Sequence, residues 1–330
     1  MKFNYICLFL VLLFISGEQC LADENATEFN ECDFSLVGWA AVAGSTTGGE
    51  GGAIVTVTNA TELEDALNDT NPMIIEFSGV IEGVFQVSSD KTLRGADENA
   101  TIAGSLVING TSNIILQNFN VDSFNSTFEE GISITNSAHH IWIDHLAVFD
   151  GAKGNINIKR KSNYVTISWT KFYYDQVTSE QFSNLVGDVD SYIDADGNVT
   201  DDSGYLEVTF HHCWWGQNVQ QRMPRVRYGK VHTFNNYYAS SGNKYCIRAG
   251  KGSSVVVENN YFDQVSHPHE LYYKVVNEAE IFAEGNIYDG IQGKIDDTAS
   301  GFIPPYVYDL DEAVNIPSIV TQCSGPQSLM

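Results

Sequence analysis

Two short stretches hold much of the positive charge of this chain. Lys153, Lys159, Arg160 and Lys161 form one, and Arg222, Arg225, Arg227 and Lys230 form the other, together eight of the 17 Lys and Arg residues. The background is acidic, with a formal net charge of -25 and an isoelectric point near 4.4. Ammonium and guanidinium groups gathered in such a background can grip carboxylates, and a guanidinium does so through paired hydrogen bonds. The plainer reading is two solvated basic stretches. Either way, the overall acidity argues against nucleic acid or an anionic membrane as a partner.

Other reactive residue types are less suggestive. His211 and His212 are adjacent in a strand-like run, which points them to opposite faces and speaks against a shared metal or acid–base role. Asp194, Asp196 and Asn198 lack the glycine position and closing glutamate of a calcium loop, leaving a solvated acidic loop. Residues 44–52 are glycine-rich but lack the spacing of a phosphate loop, and they read as turn structure. Trp142, Trp169, Trp214 and Trp215 could stack on sugar rings or fill a core.

A repeat must position these groups. An eight-residue phrase of alternating apolar residues recurs from Asn113, Ile141, Val165, Val208, Val231, Val255 and Ile281, in steps of 28, 24, 43, 23, 24 and 26 residues. A period in the twenties is the signature of a solenoid. The long step is one repeat carrying an extra loop through Gly187 to Gly204. Asn118, Asn236, Asn260 and Asn286 hold the same place in their phrases, and stacked amides there would form a ladder. Helical periodicity is confined to residues 61–68, where Leu63, Ala66 and Leu67 share a face and Thr61 is placed to cap. This one short N-terminal helix would seal the end of the core.

The chain opens with Lys2, an apolar run over residues 5–15 and a small-residue exit near Ala22, the pattern of a signal peptide at residues 1–22. That run is too short to span a bilayer. Residues 23–330 then form a single domain, with no linker dividing it, and a secreted, extracellular monomer is expected. Cys32, Cys213, Cys246 and Cys323 remain in an oxidising compartment, enough for two disulfides. Three pairings are open, and a bond between Cys32 and Cys323 would staple the terminal coils. Seven glycosylation sequons, at Asn25, Asn59, Asn68, Asn99, Asn109, Asn125 and Asn198, are expected on surface turns.

Several motifs, in this order and on this period, carry a family resemblance. They are Leu36-Val37-Gly38-Trp39-Ala40 with the turn Thr46-Thr47-Gly48-Gly49, then Trp142-Ile143-Asp144-His145, Asn163 to Trp169, and Arg222-Met223-Pro224-Arg225-Val226-Arg227 followed by Gly229-Lys230-Val231-His232. The sequence resembles the pectate and pectin lyases of polysaccharide lyase family one. The resemblance implies an all-β, right-handed parallel β-helix in which the strands bearing these motifs line one long face, with polygalacturonate (pectin) lying in a groove there. It also implies β-elimination, in which the C5 proton of a uronate is removed while the charge of the adjacent carboxylate is masked.

By this resemblance Arg222 is the proton-abstracting base and Arg227 the clamp on a substrate carboxylate. A free guanidinium has a pKa far too high for a base, so the role depends on neighbouring positive charge, from calcium and basic residues, to favour its neutral form. The family cofactor is calcium. Glu130 matches one ligand position, but the next two fall on Lys153 and Asn157, an ammonium and an amide, which weakens the metal site. Lys153 could mask the substrate charge instead. Glu180, Gln181 and Phe182 stand where the family usually offers a carboxylate-binding lysine. Two further readings stay open: a calcium-independent pectin lyase on methyl-esterified chains, and a non-catalytic pectin-binding β-helix. A glycoside hydrolase ranks last, because Asp144 and Glu258 offer no clustered carboxylate pair.

Overall fold

Apolar residues at every second position make the repeat phrases strands, and the computed structural model of the chain stacks those strands in parallel. It describes residues 32–272, 274 and 278–328, so the signal-like run lies outside the described residues. A first sheet holds ten strands, one per coil, from Ala53–Val57 to Glu280–Glu284. Ile114, Ile141, Val165, Val208, Val231, Val255 and Ile281 stand in register through it. All seven are fully buried. Each contributes about 1.5–3 kcal/mol on leaving water, which is why the recurring phrase fixes the fold.

After each of these strands from the fourth onward the chain turns into a short strand of a second face, such as Ala147–Phe149 or Tyr261–Asp263. Inside that face the rings of Phe172, Trp215, Tyr238, Phe262 and Tyr288 stack at 5.4, 4.6, 4.4 and 5.4 Å between centroids. At the turn, Asn236 and Asn260 each donate a side-chain amide to the next ladder member, Asn260 and Asn286, at 2.9 and 3.0 Å. The equivalent Asn118 departs from this ladder and bonds the backbone of Gly95 and Gln327. The third face carries the strands β1 (Glu130–Thr135), β2 (Gly154–Ile158), β3 (Asn184–Val186), β4 (Arg225–Val226), β5 (Ile247–Ala249) and β6 (His269–Leu271). The long strand Thr101–Asn109 joins the second and third faces by pairing with both.

The helix α1 (Ala60–Asn68) buries Leu63 and Leu67 as its periodicity requires. Its cap is Asn59, which accepts the Glu62 N–H, and not Thr61. A second helix, α2 (Ile316–Cys323), begins with a proline near its first turn and buries Ile316, Val320 and Cys323. It was not foreseen because the segment is short.

Three expectations change. The motif strands do not share one face: Trp142 to Asp144 and Lys230 to Phe234 lie in the first sheet, whereas Arg225 and Val226 lie on the third face. The outer surface of the first sheet is covered by the segments around Trp39 and Tyr306, so Asp144 and His145 are fully buried. Asp144 there accepts Ser168 Oγ at 2.7 Å and Gln117 Nε2 at 3.0 Å. His211 and His212 point the same way, because His212 takes φ of 52° and the two Nδ1 atoms come within 2.9 Å. His212 then reaches Asp311 of the covering segment at 2.7 Å. Only part of the disulfide expectation stands: Cys32 and Cys323 are disulfide-bonded, while Cys213 and Cys246 are free, fully buried thiols.

Replacing Asn260 by Ala removes the acceptor for the Asn236 N–H and the donor to Thr233 O, both in the core. We expect a loss of about 3 kcal/mol, seen as a lower urea midpoint with an unchanged slope.

Candidate functional site

Alternation along the third face buries Ile132, Ile156, Ile158, Val186, Val226 and Ala249 and turns the intervening side chains outward. Ser133, Asn157, Leu185, Arg225, Arg248 and Glu270 form one row across β1 to β6 on the side away from the core, in which only Arg225 and Arg248 are partly exposed and the other four are buried by their neighbours. Strands lie about 4.8 Å apart, so Arg225 stands two rungs, roughly 10 Å, from Asn157.

At the β1–β2 end of the row, Glu130 and Asn157 come together as the sequence suggested. The Asn157 Nδ2 donates to Glu130 Oε1 at 2.9 Å. Gly154 makes room: it adopts φ of 153°, and a β-carbon there would fall 2.5 Å from Asn157 Oδ1. The same Glu130 oxygen receives Lys159 Nζ at 2.5 Å. Lys153 lies at the rim instead, in a 2.7 Å ion pair with Glu129 that is more than half exposed at both ends. The Glu129 hydrogen bond raises the pKa of Lys153 and keeps it charged.

Arg222 sits three residues ahead of β4, with φ of 65° and its carbonyl accepting the Asn184 N–H at 2.6 Å. The bridge between Phe182 and Gln221 brings the Phe182 ring beneath its side chain, and the guanidinium carbon stands 3.9 Å from the ring centroid. Its Nε is buried without a hydrogen-bond partner. Burial is the largest influence on Arg222 and lowers its pKa, whereas Tyr245, Glu180 and Tyr174 act in the opposite direction. The cause expected from sequence, neighbouring positive charge, is not among the main influences on Arg222, whose pKa is lowered by desolvation. Like charge does act on Arg225, whose pKa is lowered first by burial and then by Arg227, with Arg222 and Arg248 adding to it. Among the described residues Arg225 has no carboxylate partner.

Arg227 is tied to the long loop. Its Nε donates to Asp190 Oδ1 at 3.1 Å and its Nη1 to the Asp188 carbonyl at 2.9 Å. Arg248 donates from Nε to Glu270 at 2.6 Å and lies 3.5 Å over the Tyr245 ring. Lys159, Phe182, Tyr245 and Arg248 were not singled out for the site from sequence. Two of them were legible: Lys159 lies two residues past Asn157, on the same face of a strand, and Arg248 lies one repeat after Arg225.

A family model described as pectate lyase matches residues 21–308. The chain belongs to the pectate lyase family. It is 31% identical to a pectate trisaccharide-lyase of Bacillus licheniformis over 94% of this chain and 92% of that protein. It is 30% identical to pectate lyase E of Dickeya dadantii over 76% of this chain and 72% of that protein. The solved pectate lyase of Bacillus sp. N165 in complex with trigalacturonate superposes with a TM-score of 0.75 at 25% identity, over 88% of this chain and 99% of that one. The family fold, a right-handed parallel β-helix, is the one described above.

The calcium ion of the family does not fit the residues present. Calcium takes roughly six to eight oxygen ligands and gains from carboxylate charge. Here the expected place offers one carboxylate, Glu130, and one of its oxygens already receives an ammonium and an amide. No group of three His, Cys, Asp or Glu side chains suited to a metal occurs among the described residues. Added calcium is therefore expected to leave the thermal midpoint of the protein alone unchanged, since a native-state ligand would raise it. Differential scanning calorimetry with calcium and with EDTA checks this, and a rise of several degrees would contradict it.

Proposed function

We propose that this chain is a secreted lyase that cleaves polygalacturonate by β-elimination, with Arg222 as the base. The observation that carries the reading is the half-buried Arg222 guanidinium, laid on Phe182 with its Nε unpartnered. Desolvation disfavours the charged form of a group, and a guanidinium so placed has a larger neutral fraction than one in water. The neutral form takes the C5 proton of a uronate, the C5–H electron pair becomes the C4–C5 double bond, and the C4–O bond breaks with its electrons leaving on the glycosidic oxygen. That oxygen then acquires a proton from solvent. General-base catalysis of this kind contributes about 100- to 10,000-fold.

The remaining residues bind and orient. A guanidinium has five N–H donors; Arg227 commits two to the loop at Asp188 and Asp190, and the others are its means of clamping a substrate carboxylate. Arg225, in the outward row and without a carboxylate partner among the described residues, supplies a second grip. Lys153 stands at the rim, where its ammonium meets the chain on entry. Secretion is supported by the signal-like pattern at residues 1–22 and by disulfide-bonded Cys32 and Cys323, since disulfides persist in oxidising compartments.

The misfit of calcium favours one second reading, a pectin lyase acting on methyl-esterified chains, whose carboxyl groups carry no charge to be masked. Initial rates on polygalacturonate and on highly methylated pectin, followed by ultraviolet absorbance of the unsaturated product, separate the two. On the favoured substrate Arg222→Ala is expected to lose about a thousandfold in rate with an unchanged thermal midpoint. A variant within about threefold of wild type would remove Arg222 from the chemistry.

A further inference from the structure

The pair that keeps calcium out is itself a built feature. Lys159 follows β2 by one residue and shares the outward side of that strand with Asn157. Its side chain is 21% exposed and that of Glu130 10%, against 55% and 63% for the neighbouring pair of Lys153 with Glu129. The first pair is sheltered and fixed, while the second is a surface contact of small energetic consequence. An ammonium carries three N–H donors, of which Glu130 takes one, and Asn157 shares that same carboxylate oxygen. The Lys159 ammonium therefore reaches the outward face as a compact positive charge with donors to spare.

We infer that Lys159 is the resident cation of this site: held by Glu130, it receives the carboxylate of the uronate being cleaved and masks its charge while C5 loses a proton. The inference rests on the lyase reading above. Lysine suits the task because its charge is point-like, unlike the planar fork of arginine. A charge fixed in advance by Glu130 needs no rearrangement when negative charge develops on the substrate. The row geometry gives the ligand its second contact, since Arg225 stands two rungs along from Asn157. A sugar acid laid across the row meets the ammonium on one side and guanidinium groups on the other. Glu130 then acts as a positioning residue, and Asn157 steadies it.

The test uses the full secreted chain, with trigalacturonate binding measured by calorimetry in EDTA and elimination measured on polygalacturonate in EDTA and in calcium. Wild type is compared with Lys159→Met and with the double variant Glu130→Gln/Lys159→Met, which leaves no unpaired carboxylate behind; thermal midpoints report folding. Wild type is expected to react equally in both buffers, within about twofold. Lys159→Met should fall by about a hundredfold in kcat/KM, the scale of losing one preorganised donor. The double variant should stay at least about tenfold down in both rate and affinity.

Two results would overturn the inference: a wild type that eliminates only with calcium, or a folded double variant that binds and reacts like wild type. A wild type that binds trigalacturonate in EDTA without ever forming unsaturated product defeats the lyase reading alone, and the affinity of the double variant then decides the role of Lys159. Weakened binding there supports it, and unchanged binding ends it.

Discussion

A guanidinium out of water, resting on an aromatic ring, is the contact around which the site is arranged. A guanidinium ordinarily titrates far above any working pH, and the base proposed for Arg222 must be able to accept a proton. Burial against Phe182 moves it in that direction, while Tyr245, Glu180 and Tyr174 act against the shift. Beside it, Arg225 is lowered by its own burial and by the like charges of Arg227, Arg222 and Arg248. Holding four like charges on adjacent rungs needs a scaffold that does not relax, and the solenoid provides one.

That rigidity comes from the first sheet and the second face. The stacked isoleucines and valines, the ring column from Phe172 to Tyr288 and the ladder from Asn236 to Asn286 set each coil on the one below with no freedom of register. The site residues come from separate coils, β1, β2 and the segment before β4, and meet only because the coils are stacked in this way. The buried hydrogen bonds of Asp144 to Ser168 and Gln117 lie beneath the covering segments, in the first sheet and not on the face that carries Arg225.

Much of this was legible in the residues. Repeat spacing revealed the solenoid, and the motif at Arg222 revealed where the positive charge converges. The assignment of faces was not legible, because a β-helix has three and the motifs carry no mark of which they occupy; Trp142 and Arg225 thus appeared to belong together. Adjacent His211 and His212 misled because strand alternation fails where φ turns positive. Lys153 drew attention as the residue aligned with a metal ligand, yet Lys159 is the one whose ammonium reaches Glu130. Lys159, six residues beyond Lys153, meets the same Glu130 oxygen as the Asn157 amide, for which Gly154 leaves room, and that convergence has no sequence signal beyond the glycine itself.

The central claim, that desolvation on Phe182 is what lets Arg222 accept a proton, is tested most directly by the pH–rate profile of Phe182→Ala beside that of wild type. A lowered pKa raises the neutral fraction at any given pH, so exposing the guanidinium must move the rising limb of kcat/KM to higher pH and reduce the rate below it, by about tenfold for each unit of displacement. The account predicts that displacement in a variant that remains folded. Superimposable limbs for the two proteins would contradict it.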